Sequence, residues 1–175
     1  MFAWVLKFMR KGTREFVDER QVLEYDEVNS FYVILHIMQK HQYRHIYDSE
    51  ISKINEHLTL LEEILQTSFP KVYHHLVDEM FINLVPIFLN IITTIFVADL
   101  QSKTPEIATY IFDVFLLDGE SVIFTLLTQF ITLKQDTILR LRYDDLLNYL
   151  RYKMPLECFK ERSMAELLDL PYTIE

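Results

Sequence analysis

Thr104-Pro-Glu-Ile-Ala-Thr-Tyr-Ile-Phe-Asp-Val-Phe-Leu-Leu-Asp-Gly119 reads as one helix with both of its ends written into it. Pro105 suits the first helical position, where the missing N–H would have had no partner anyway. Thr104 before it is the expected N-cap, and Glu106 complements the positive end of the helix dipole. Ile107, Ala108, Ile111, Phe112, Val114, Phe115, Leu116 and Leu117 form an apolar body. Gly119 stands where a left-handed C-terminal cap is expected. Asp113 lies inside this apolar run, where an unpaired charge would be costly. The reading for Asp113 is a buried cap or ion pair, with Arg140, Arg142 or Arg151 as the partner.

The same periodicity extends outward in both directions. Ile54, Leu58, Leu61, Ile64 and Leu65 recur on one face, with Glu56, Glu62, Glu63 and Gln66 elsewhere. Val122, Ile123, Leu126, Leu127, Phe130 and Leu133 form another stripe, opposite Thr125, Thr128, Gln129 and Thr132. That pattern predicts a surface helix with a broad buried stripe. Helices are expected near 1–10, 26–40, 53–67, 71–78, 83–98, 105–117, 120–133, 135–141, 144–152 and 163–169. Residues 11–25 are charged, contain Gly12, and read as a loop or insertion.

Composition agrees with an all-α fold. The chain has 175 residues, half of them hydrophobic, which is too apolar for disorder. It has only 2 Gly, too few for the turns of a sandwich or barrel. The expectation is one helical domain over 1–175, of about eight to ten helices, with 156–175 as a C-terminal extension. The formal net charge of −9 argues against nucleic acid or anionic lipid as the main partner. Arg10, Lys11 and Arg14 are the one small basic cluster, and three such residues suit a solvated helix end. Cys158 is the single cysteine, so no internal disulfide can form, and a reducing, cytoplasmic setting is expected. The apolar start, Phe2 to Met9, contains Lys7 and lacks a small-residue cleavage site, so a secretory signal is not expected.

Residues 81–98 carry no charge over 18 positions, which just reaches membrane-spanning length. Asn83, Pro86, Asn90, Thr93 and Thr94 interrupt the run, and its flanks are Asp78, Glu79 and Asp99 without an anchoring Lys or Arg. A buried core helix is the expectation, and integral membrane insertion is the rejected alternative.

The stretch 104–119 resembles the C-terminal half of the TBC domain, the Rab GTPase-activating fold. That family has a proline-led helix with a Trp-Asp pair and an acidic-Gly end. Phe112-Asp113 and Asp118-Gly119 stand in those places, so Pro105, Phe112, Asp113 and Gly119 are the signature residues, with structural roles. Asp26-Glu27 with Phe31 resembles the family's acidic-plus-aromatic helix start. His57 to Leu76 resembles its leucine-rich helix, a Phe-Pro step and a helix ending in His-Leu. Val122 to Leu133, Tyr143 to Leu150 and Met154-Pro155 resemble the closing helices. The resemblance covers about 25–155, as an ordered set of individually weak matches.

The resemblance implies a partner of the small-GTPase, Rab type. Such activators insert an arginine beside the transferring phosphate, and a glutamine orients the attacking water. In the family these sit in Ile-x-x-Asp-x-x-Arg and Tyr-x-Gln motifs. Here no Asp is followed by Arg three residues on, and no Tyr by Gln two residues on. Met1 to Met9 resembles the helix that follows the glutamine motif, so the catalytic half is expected before residue 1. Tyr110 stands where Arg is common, and Ile91 near an expected Trp, which also departs from ordinary Rab engagement.

Other chemistry finds little support. His41 and His45 are four apart on an expected helix end, and could share a face as metal ligands. His74 and His75 are adjacent and point apart on a helix. Surface or interface roles are expected for all four, and no metal or cofactor. Glu62-Glu63, Asp78-Glu79 and Asp144-Asp145 suit solvated faces better than acid–base work. Cys158 has no His near it in sequence, and no Gly-x-Ser-x-Gly elbow occurs. With only Gly12 and Gly119, a glycine-rich phosphate loop is excluded. The expected function is a TBC-like module acting by protein contacts, not an enzyme, with no catalytic residue of its own. It would be a scaffold or a subunit of a larger assembly. The alternatives are a C-terminal piece of an active Rab activator and a generic helical or membrane-attached adaptor.

Overall fold

The computed structural model describes residues 19–47, 52–100 and 104–169, all helix or connection, with no strand among them. The expected helix at 1–10, with Arg10, Lys11 and Arg14, lies outside the described residues. The chain divides into two compact units, residues 1–51 and 52–175.

In the first unit, α1 spans Glu19–Lys40 and is followed by a short 3-10 helix, Tyr43–Tyr47. The expected loop at 11–25 is therefore helical over residues 19–25. Asp26, Glu27 and Phe31 sit inside α1 and not at its start. The 19–25 stretch has no Gly or Pro to stop a helix. Ile37, Tyr43 and Ile46 are buried, whereas Val28, Phe31 and Tyr32 are exposed.

The second unit begins with α2 (Ser52–Ser68) and the short α3 (Pro70–Tyr73), which widens into a π-helical turn over His74–Glu79. Next come α4 (Val85–Thr94), α5 (Val97–Leu100) and α6 (Pro105–Asp118). The long α7 (Ser121–Ile138) is followed by α8 (Tyr143–Asn148), a second π turn at Tyr149–Lys153, α9 (Met154–Glu161) and α10 (Met164–Asp169). The second π turn ends just before Pro155, whose missing N–H cannot complete an ordinary helical bond.

The helix α7 is the centre of the unit, packed against α6, α9 and α10. Its buried stripe is broader than its Thr and Gln residues predicted, although Thr132, Gln135 and Asp136 stay exposed. Thr128 and Gln129 are buried along with the apolar stripe, at 7% and 5% exposure. Thr128 Oγ1 donates to the Phe124 carbonyl at 2.8 Å, so burying its hydroxyl leaves no unmet donor. The helix also runs without a break from the segment expected at 120–133 into the one expected at 135–141, ending at Ile138. Phe130 stands edge-on to Phe96 at 5.8 Å and to Phe159 at 5.2 Å, so aromatic contacts join α7 to the α4–α5 corner and to α9.

The apolar run 81–98 is core, and it is broken. Ile87, Phe88, Ile91 and Ile92 of α4 are buried. The single helix expected over 83–98 stops at Ile95 and Phe96, which both take positive φ, 54° and 61°. Both side chains are fully buried, at 0% exposure. A β-branched residue in that conformation is strained by about 1–2 kcal/mol, and burying a large apolar side chain offsets it with about 1.5–3 kcal/mol. No described helix is long and apolar enough to cross a membrane.

Candidate functional site

The signature helix α6 forms where its end signals placed it, with Pro105 in the first turn and Gly119 as C-cap. The end chemistry differs from expectation in two ways. The Thr104 side chain makes no capping bond, and its buried Oγ1 has no partner. Gly119 is at φ 74°, ψ −148°, a region of positive φ and extended ψ that is essentially restricted to glycine, and not the left-handed helical one. Its N–H still donates to the Phe115 carbonyl at 2.8 Å.

Ala108, Ile111, Phe112 and Phe115 bury one side of α6, and Phe112 stacks on Phe115 at 6.4 Å. Phe112 thus packs inside the fold. Asp113 does not. It faces solvent, and no described ion pair joins it to Arg140, Arg142 or Arg151. Partial desolvation still pushes its carboxyl above the usual range. Asp113 is an exposed acid, not the buried cap or ion pair that its apolar neighbours suggest. The helix presents residue 113 to the same side as Glu106 and Tyr110, and the apolar neighbours in sequence lie on the other side.

The histidines fall into separate environments. His41 lies past the end of α1, so it shares no helix face with His45, and its ring meets His36 edge-on at 6.0 Å. His74 and His75 do point apart. His74 is exposed and reaches Asp78 at 2.7 Å, whereas His75 is buried and reaches Glu79 at 2.6 Å. The other ring nitrogen of His75 lies 3.0 Å from the Leu141 carbonyl oxygen, tying the π turn to the connection between α7 and α8. Among the described residues no group of three or more His, Cys, Asp or Glu could hold a metal ion.

Two polar clusters were not foreseen. In the first, His57 of α2 meets Glu120 at 2.6 Å and stacks on Phe124 at 5.3 Å. Lys53 lies 3.9 Å from the same Glu120 oxygen. A His–carboxylate pair is half of a nucleophile-activating arrangement. The remaining ring nitrogen, His57 Nδ1, is buried without a partner, so no hydroxyl or thiol completes a triad. The pair joins α2 to the start of α7.

In the second cluster, Lys134 of α7 is buried and bonds Glu161 of α9 at 2.5 Å, with Glu157 at 3.8 Å. Burial, the largest single influence, pulls the Lys134 ammonium down, but the bond and charge of Glu161 together with the nearby Glu157 outweigh it and the net shift is upward. Tyr149 donates to Glu157 at 2.9 Å, and burial first, then Glu157, pushes its phenol up. Cys158 sits beside this group fully buried, and burial pushes its thiol up to about 12. A thiol so held is protonated and inert as a nucleophile. A lysine in an apolar stripe was the one available signal for this cluster, since a buried Lys requires carboxylates.

Comparison with known proteins agrees with the helical frame. The sequence pattern of the Rab-GTPase-TBC domain matches residues 11–139. The "Ecotropic viral integration site 5 ortholog" of Drosophila melanogaster is 25% identical over 157 residues, 88% of this chain. That stretch is 18% of the fly protein, so the chain spans less than a fifth of its relative.

Proposed function

The chain belongs to the Rab-GTPase-TBC domain family, and from that premise we propose that it works by protein contact, without catalytic residues of its own. The observation that carries this reading is the absence of both finger motifs across the 175 residues. Acceleration of GTP hydrolysis depends on charge placed beside the transferring phosphate and on an oriented water. A member lacking the arginine and the glutamine keeps the helical frame and loses both contributions.

In this reading residues 1–175 act as one helical module in a cytoplasmic setting, as a scaffold or as a subunit of a larger assembly. The partner is a Rab-type GTPase or the other subunits. Single-turnover GTP hydrolysis by a panel of purified Rab GTPases should run at the intrinsic rate when the chain is added. A clear acceleration by the chain alone would overturn the proposal.

The short span on the fly relative favours a second reading, in which a separate half carries the fingers. Mixing the chain with a TBC N-terminal half that holds both motifs distinguishes the two. Restored hydrolysis supports a split activator, and continued inactivity supports the scaffold.

A further inference from the structure

The solvent face of α6 has a composition that folding does not call for. Glu106, Tyr110, Asp113 and Leu117 follow one another at spacings of four, three and four, so they share one side of the helix. All four are exposed; Tyr110 is 46% and Leu117 77% exposed. The opposite side already packs the helix through Ala108, Ile111, Phe112 and Phe115. Tyr110 and Leu117 therefore add little to stability where they are, and each leaves apolar surface in water.

The charge of this face is one-sided. Residues 104–133 contain no Lys or Arg, and Glu106, Asp113 and Asp118 are exposed acids on α6. None of the three has an ion-pair partner among the described residues. A second copy of this chain fits poorly, because two such faces would bring like charges together on a molecule of net charge −9.

We propose that the Tyr110–Leu117 face of α6 docks a basic amphipathic helix of a partner protein. Leu and aromatic residues of that helix would cover Tyr110 and Leu117, and its Lys or Arg would pair with Glu106 and Asp113. Side-by-side helix packing needs only the i, i+4, i+7 anchors this face presents. Asp113 would benefit most, because its carboxylate is already partly desolvated and has no counter-charge. The surface stands independently of the proposed GTPase contact, and a chain inert toward every Rab still permits the test.

The probe is a display library of random 16-residue peptides, roughly the length of four helical turns, panned against the full chain. Enriched sequences should carry Lys or Arg among apolar residues at helical spacing. One enriched peptide, synthesised with a fluorophore, is then titrated by anisotropy. Leu117→Ser and Tyr110→Ser should each weaken its binding at least about tenfold. Asp113→Asn should weaken it by a smaller factor and reduce its salt dependence. Each variant should keep the parent melting temperature, because the three side chains face solvent. Failure to enrich any peptide, enrichment of acidic ones, or binding indifferent to Leu117→Ser and Tyr110→Ser would each overturn the proposal.

Discussion

Phe81 offers the sharpest test of the backbone reasoning. The π turn at His74–Glu79 ends with Met80, whose N–H reaches the His75 carbonyl at 3.0 Å. The Ile82 N–H returns to the Leu76 carbonyl at 2.9 Å, and Ile82 and Leu76 are both buried. This is a helix stop of the kind that places a left-handed residue between the two, and glycine is the usual choice. Phe81 occupies it at φ 52° with 82% of its surface exposed. Comparing Phe81→Gly with Phe81→Ala isolates the backbone, because both remove the ring and only glycine removes Cβ. The left-handed conformation costs a Cβ-bearing residue about 1–2 kcal/mol. Glycine returns about 0.5–1 kcal/mol of that through its freer unfolded chain. The glycine variant should therefore be the more stable by about 0.5–1 kcal/mol, which corresponds to a melting temperature higher by about 1–4 °C. Thermal unfolding followed by circular dichroism, supported by urea titration, measures the difference. At an ordinary negative-φ site the order reverses, with alanine the more stable. An alanine variant equal to or more stable than the glycine variant would refute the strained-cap argument.

Four further outcomes can be checked together. Asp113→Asn should change stability by no more than about 0.5 kcal/mol, because the carboxylate is exposed and holds no helix pair together; a large drop in melting temperature would restore the buried-pair reading. Lys134→Ala should cost about 1.5–3 kcal/mol in urea unfolding, since it removes the charged bond to Glu161 and leaves Glu157 and Glu161 as neighbouring like charges. Cys158 should resist iodoacetamide at pH 8 in the native chain and react on denaturation, as a buried thiol pushed up to about 12 requires. Glu166 accepts from the Ser163 N–H at 2.7 Å and from its hydroxyl at 2.8 Å, and these bonds hold its carboxyl below the ordinary value. Its contribution is present above the unfolded carboxylate range of about 4.3 and fades as pH falls through the lower folded value. Backbone NMR shifts of α10 should therefore drift toward coil on acidification, and Glu166→Gln should remove that pH dependence.

Much of the frame was legible in the residues because helix signals are local. The proline start and glycine end of α6, the amphipathic α2 and the absent finger motifs all follow from neighbours within a few positions. The Ser163 to Glu166 capping box at α10 is equally local, a Ser followed by a Glu three residues on. Asp113 shows the limit of that reading. Its sequence neighbours are apolar, yet in a helix adjacent residues point about a quarter-turn or more apart, so apolar neighbours do not imply burial.

The sequence by itself determined an all-helical chain of the Rab-GTPase-TBC kind, with neither finger motif in its 175 residues. Only the tertiary structure decided that Thr128 and Gln129 of α7 are buried, that the 81–98 run breaks at Ile95 and Phe96, and that Lys134 meets Glu161. These depend on helices distant in sequence. A buried Thr or Gln is tolerated once its hydrogen bonds are met inside the fold, and a left-handed Ile once packing outweighs its strain. Neither condition leaves a mark on the local pattern of residues.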